Sequence, residues 1–132
     1  FVLAAVIDSP YSDNIDYGDD PRGLGRISCR DPRFYGEMGR VASEAFRVLR
    51  PRGVLAWIIC DEYRAGVYTP VGFRLLAVLS QAFEPVDTIA LVRHNDRSGS
   101  PMWEHRARRF NFFLRGFKFL FLMRKPSGET GG

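Results

Sequence analysis

Apolar positions along the chain follow two kinds of pattern. Val2 to Ile7 is an unbroken, partly β-branched run stopped by Asp8, Ser9 and Pro10, which predicts a strand buried on both faces and therefore a parallel sheet. Val54 to Cys60 is a second such run, ending in Asp61 and Glu62, and Val86 to Val92 and Phe117 to Met123 predict two more strands. Tyr35, Met38, Val41, Ala42, Ala45, Phe46 and Leu49 instead recur at helical spacing, and Pro51 and Gly53 stop that helix. Val71, Leu75, Val78, Leu79, Ala82 and Phe83 predict a second helix, with Thr69 as its N-cap and Pro70 at its first position.

The stretch from Ser12 to Pro32 is polar, rich in Gly, Asp and Arg, and without period, so it reads as a long loop of the kind that carries function in compact domains. A basic connection follows the third strand. The alternation of strands and helices predicts an α/β fold: a partial Rossmann-like sheet, mostly parallel with an antiparallel last strand, and helices on its faces. Residues 1–126 form one domain and residues 127–132 a loose tail. A sheet made only of these strands leaves the Val2 to Ile7 strand with an unpaired apolar edge, which predicts a homodimer or a missing partner half.

The 132 residues, 45% of them apolar, suffice for one domain with a real core. Cys29 and Cys60 show no CxxC spacing, and His94 and His105 lack partners at metal-ligand spacing, so the sequence supports neither a disulfide framework nor a metal site. A reduced, cytoplasmic setting is the expectation. The most apolar stretch, Phe110 to Met123, is broken by Asn111, Arg115 and Lys118, short of the roughly 18 apolar residues of a spanning helix. The chain opens at Phe1, directly on an apolar run without a basic leader, and reads as a piece of something longer.

Charge is divided between the two ends. The first 20 residues carry five acids and no base, whereas Arg93 to Lys125 holds nine basic residues against two acids. Seventeen of the 19 basic side chains are arginine, which forks onto phosphates and stacks on bases. A polyanionic partner fits this pattern, as does a merely solvated basic surface.

Asp8-Ser9-Pro10-Tyr11 stands directly after the first strand, where open α/β sheets place their ligands. Taken alone, it also fits a turn in which Asp8 or Ser9 caps backbone amides and Pro10 ends the strand. Further blocks follow in order: Ser12-Asp13-Asn14, then Val48-Leu49-Arg50-Pro51-Arg52-Gly53-Val54-Leu55, then Asn111 to Phe121 with Arg124-Lys125-Pro126. Together, from Val2 to about Pro126, they resemble the S-adenosylmethionine-dependent DNA methyltransferases that modify the exocyclic amino group of adenine or cytosine, specifically their catalytic half. Their signature is an Asp, Asn or Ser followed by Pro-Pro and an aromatic residue.

The resemblance implies a class I methyltransferase fold, S-adenosylmethionine as cofactor and DNA as partner. It implies that the Asp8 carboxylate and the Ser9 carbonyl accept the amino hydrogens, drawing the lone pair out of the base ring toward the methyl carbon. Tyr11 would stack on a base flipped from the duplex and Pro10 would stiffen the turn. An Asp in first position leans toward adenine N6 over cytosine N4. Ser12, Asn14 and Tyr17 are candidates for the base pocket, and Asp8 and Asp61 for cofactor contacts; the same side chains also suit local backbone bonding. Arg93, His94, Asn95, Arg97, Arg106, Arg108 and Arg109 are candidates for DNA phosphates, with Trp103 and His105 near the strand opening.

Two departures stand out. Ser9 occupies the place of the first proline, and no glycine-rich loop follows a strand; Gly23-Leu24-Gly25 lies inside the polar loop. A non-catalytic DNA-binding remnant, or a same-fold methyltransferase acting on RNA or a small molecule, therefore stand as alternatives. The phenylalanines from Phe110 to Phe121 read as core.

Overall fold

The computed structural model describes residues 1–13, 18–20, 22–93, 101–110 and 116–128. Strand β1 (Val2–Asp8) leads into the long loop, whose described part holds only a 3-10 turn at Leu24–Arg26. Helix α1 (Pro32–Val48) starts where the Asp31 carboxylate accepts from the Arg33 backbone N–H, with Pro32 in the first turn. Its buried residues, Phe34, Met38, Ala42 and Ala45, lie three and four apart and form one face.

The helix runs straight into β2 (Leu49–Ile59). Lys125 Nζ donates to the Phe46 and Leu49 carbonyls at 2.6 and 2.8 Å, satisfying acceptors at the helix end with a cation that also suits its dipole. Residues 50–53 bulge, because Val2 pairs with Leu49 but Ala4 already pairs with Val54. Arg52 takes a φ of 69° there, and a Cβ on Gly53 would stand 2.8 Å from the Arg50 carbonyl oxygen.

After β2 come a short hairpin, β3 (Glu62–Arg64) and β4 (Val67–Thr69), then α2 (Val71–Leu79), β5 (Glu84–Val92), α3 (Pro101–Phe110) and β6 (Phe117–Arg124). The four long strands form one sheet in the order β1-β2-β6-β5, with β1 and β2 parallel and β6 antiparallel to both of its neighbours. Strands β1, β2 and β5 thus run one way and the last strand runs against them, as the sequence predicts. Insertion of β6 between β2 and β5 nevertheless makes two of the three pairings antiparallel.

Among the described residues, only one face of this sheet has a helical layer. Leu55, Trp57 and Ile59 of β2 and Phe121 and Met123 of β6 are buried with Phe34 and Met38 of α1 and Leu75 and Leu79 of α2 in a single core. The alternate residues Ala56, Ile58, Leu120 and Leu122 are half-buried, Val6 is 73% exposed, and no described helix buries a residue against them. This corrects the expectation of strands buried on both faces and helices on each: an apolar run permits burial on two sides, but packing partners are present on one. The first strand is an edge strand with Val2, Leu3 and Val6 exposed.

Three local expectations also change. The connection after β5 contains helix α3, which buries no residue, and the segment after β2 forms the β3–β4 hairpin. Helix α2 stops at Leu79 and begins after Pro70, while Thr69 closes β4 instead of capping. No helix among the described residues is long and apolar enough to cross a membrane.

Candidate active site

Because β1, β2 and β5 run the same way, their carboxyl ends converge on one side of the sheet, where α/β folds hold ligands. A cleft of about 320 Å3 opens there, lined by Tyr11, Asp61, Glu62, Arg64, Arg93 and Trp103 among others. The structure thus brings together Tyr11, Asp61, Arg93 and Trp103, four candidates scattered over 92 positions of the chain. Asp8, Ser9 and Pro10 stand outside that lining.

Asp8 ends β1 in register with Ile58. Its side chain is exposed on the strand face opposite Ile7, and its carboxylate takes part in no hydrogen bond or ion pair with the described residues. The capping role that a plain turn would give it is absent there. Among the described residues Ser9 makes no backbone cap either: its Oγ accepts from the indole Nε1 of fully buried Trp57 at 2.9 Å.

Beyond Tyr11 the chain is fastened twice. Ser12, 2% exposed, accepts from the Cys29 backbone N–H at 3.2 Å and donates to Asp13 at 3.1 Å. Arg64 reaches across from the hairpin to Asp13 at 2.9 Å. Burial raises the Asp13 carboxyl, but bonds from Arg64 and Ser12 together outweigh it and hold the group below its ordinary value. Ser12, proposed from sequence as a base-pocket residue, is therefore committed to holding the loop. Asn14 and Tyr17 lie outside the described residues.

Glu62, 4% exposed, is a site residue that the sequence reading passed over. Its Oε2 accepts from the Cys29 thiol at 3.1 Å, Arg30 stands 3.9 Å away, and Arg64 lies 3.4 Å from Oε1, which accepts no hydrogen bond among the described residues. Burial pushes the Cys29 thiol up and the Glu62 carboxylate adds to the rise, so the thiol stays protonated and donates. The Tyr35 hydroxyl donates to the Cys29 carbonyl at 2.7 Å, and burial raises that phenol as well. A signal for the hairpin was present in Ala65-Gly66 between two short runs with tyrosine. Both turn residues take positive φ, 52° and 76°, as a two-residue hairpin loop of the primed kind requires.

Asp61 is engaged within the fold on both oxygens. It accepts from the Gly72 N–H at the start of α2 and from the Tyr68 hydroxyl, each at 2.8 Å. It is the cap that Thr69 was expected to supply.

Of the candidate DNA contacts, Arg93 lies in the cleft wall and donates to Cys60 Sγ at 3.5 Å. Arg106, Arg108 and Arg109 lie on α3: Arg106 stacks over Trp103, Arg108 pairs with Glu104 at 2.6 Å and Arg109 lies over Phe110. His105 is exposed on the same helix. His94, Asn95 and Arg97 lie outside the described residues.

The geometry has counterparts among solved structures of a Thermus thermophilus protein named "putative DNA modification methylase". One aligns with 99% of the chain at a TM-score of 0.64 and 22% identity. Another, complexed with S-adenosyl-L-methionine, aligns with 99% at 0.62 and 23% identity, and a selenomethionine derivative with 76% at 0.57 and 20%. The chain shares the fold of that part of the Thermus protein. It spans about half the length of that chain, 49% and 50% in the two fuller alignments. No protein-family model and no curated protein sequence matches it.

Proposed function

We propose that this chain is the base-handling half of a DNA methyltransferase that modifies an exocyclic amino group, adenine N6 in preference to cytosine N4. The observation that carries the reading is Asp8: a carboxylate fixed by sheet register at the carboxyl end of β1, left without an internal partner among the described residues, three residues from an aromatic side chain that lines a cleft. The fold shared with the Thermus protein named "putative DNA modification methylase" supports it.

An exocyclic amine is a poor nucleophile because its lone pair is delocalised into the ring. Asp8 and the Ser9 carbonyl would each accept one amino hydrogen, turning the lone pair out of the ring plane. The Asp8 carboxylate would offset the positive charge that builds on the nitrogen as it gains the methyl group, and would take up the proton that the nitrogen then loses. Tyr11, three residues beyond Asp8, would offer a stacking face for the extruded base. Arg93 in the cleft wall, with the arginines of α3, would supply positive charge for phosphates.

S-adenosylmethionine, when bound, supplies an electrophilic methyl carbon. The residues present fit it poorly: no glycine-rich turn follows a strand, and Asp61 is occupied by Gly72 and Tyr68. The cofactor contacts are therefore assigned to a further segment or a second copy. The test is methyl transfer from labelled S-adenosylmethionine to duplex DNA by the protein in its complete form, with calorimetric titration of the cofactor against this chain alone. Transfer to adenine that disappears in Asp8→Ala supports the reading. DNA binding with no transfer, indifferent to cofactor and to Asp8→Ala, would identify a DNA-binding remnant instead, and preference for an RNA duplex would move the substrate.

A further inference from the structure

Trp57 touches the catalytic turn on both sides of Asp8. Its backbone pairs with Ile7, the residue before Asp8, and its indole N–H donates to the hydroxyl of Ser9, the residue after it. Trp57 itself cannot shift: it is wholly buried at the centre of the sheet, flanked by β1 and by Phe121 of β6. Ser9 has one more constraint, since a residue preceding proline is confined to extended backbone conformations. With the side chain held by the indole and the backbone held by Pro10, the Ser9 carbonyl and the Asp8 carboxylate have little freedom left. Serine has no ring to restrict its own φ, so without this bond the turn would sample more conformations.

We infer that Trp57 is a positioning residue that acts through the Ser9 hydroxyl to hold the two amine acceptors, Asp8 and the Ser9 carbonyl, in reactive geometry. The role rests on the function proposed above. It belongs to the side chain of Ser9 and is separate from the role of its carbonyl, which any residue at this position would provide.

The experiment compares Ser9→Ala, Ser9→Thr, Trp57→Phe and the Ser9→Ala/Trp57→Phe pair in the complete protein, measuring kcat and KM for methyl transfer to duplex DNA. Ser9→Ala keeps the carbonyl and deletes only the tether. The expected result is a kcat lower by about five- to tenfold, the worth of one neutral hydrogen bond, with the KM values for DNA and cofactor unchanged. Ser9→Thr, which keeps the hydroxyl, restores the rate, and the double variant is no slower than the slower single one. An unchanged kcat in Ser9→Ala, or losses that multiply in the double variant, overturns the inference while leaving the methyltransferase reading intact. Absence of transfer by the unaltered protein overturns both. Should Trp57→Phe fail to fold, as thermal melting would show, the Ser9→Ala and Ser9→Thr comparison decides alone.

Discussion

Gly72 lies directly against the ring of Phe119: a Cβ at that position would fall 2.6 Å from the ring Cε2 and closer still to Cδ2. The ring has little room to retreat. It stacks on Phe121 with centroids 5.5 Å apart and meets Phe117 edge-on at 5.2 Å. This contact sets how closely the first turn of α2 approaches β6 at the cleft end of the sheet. Gly72→Ala should cost about 1–3 kcal/mol through overpacking, measured as a lower urea midpoint with an unchanged m-value.

Asp61 ties the same helix end to the strand before it. Asp61→Ala leaves the buried Gly72 N–H and the Tyr68 hydroxyl without their acceptor and should destabilise by about 1–3 kcal/mol. Asp61→Asn retains one acceptor and should recover part of the loss. Thermal melting of both variants checks the order, and equal stability of all three proteins would refute the cap.

The hairpin turn carries an avoidable strain. Ala65 holds a φ of 52°, which a Cβ disfavours and which asparagine tolerates better. Ala65→Asn should therefore raise stability by about 0.5–1 kcal/mol, seen as a melting temperature a few degrees higher.

Asp13 and Arg64 give a pH signature. Asp13 has a folded pKa below its ordinary value of 3.8, so its contribution is present above that value and is lost as the pH falls through the folded pKa. Both side chains are more than a third exposed, which limits the pair to about 1 kcal/mol at most. The stability gap between the unaltered protein and Asp13→Asn should hold from about pH 7 to about pH 5, then close below about pH 4. A gap that stays constant down to about pH 2 would mean that the ion pair contributes nothing.

Much of the architecture was legible because backbone period and stop signals are local. The strand that ends at Asp8, helix α1 and the position of Asp8-Ser9-Pro10-Tyr11 follow from residues within a few positions of one another. What was not legible depends on distance. Asp61 caps a helix that begins ten residues later, Glu62 meets a thiol 33 positions earlier, and Ser9 is held by an indole 48 positions away. Helix α3 was hidden for a different reason: it buries no side chain fully, and its apolar positions Trp103, Ala107 and Phe110 are too few among the charged ones to stand out as a stripe.

The two borders of the sheet differ in character. Along β5 the outer border opens with Glu84 and Pro85 and shifts register before Asp87, which guards its first residues against a neighbouring strand, while Thr88 to Val92 carry no charge and no proline. Along β1, Val2 to Ile7 contain no charge and no proline, leaving a row of backbone donors and acceptors ready to be matched. The β1 border is thus the side on which an added strand, from a further segment or from a second copy, would extend the sheet.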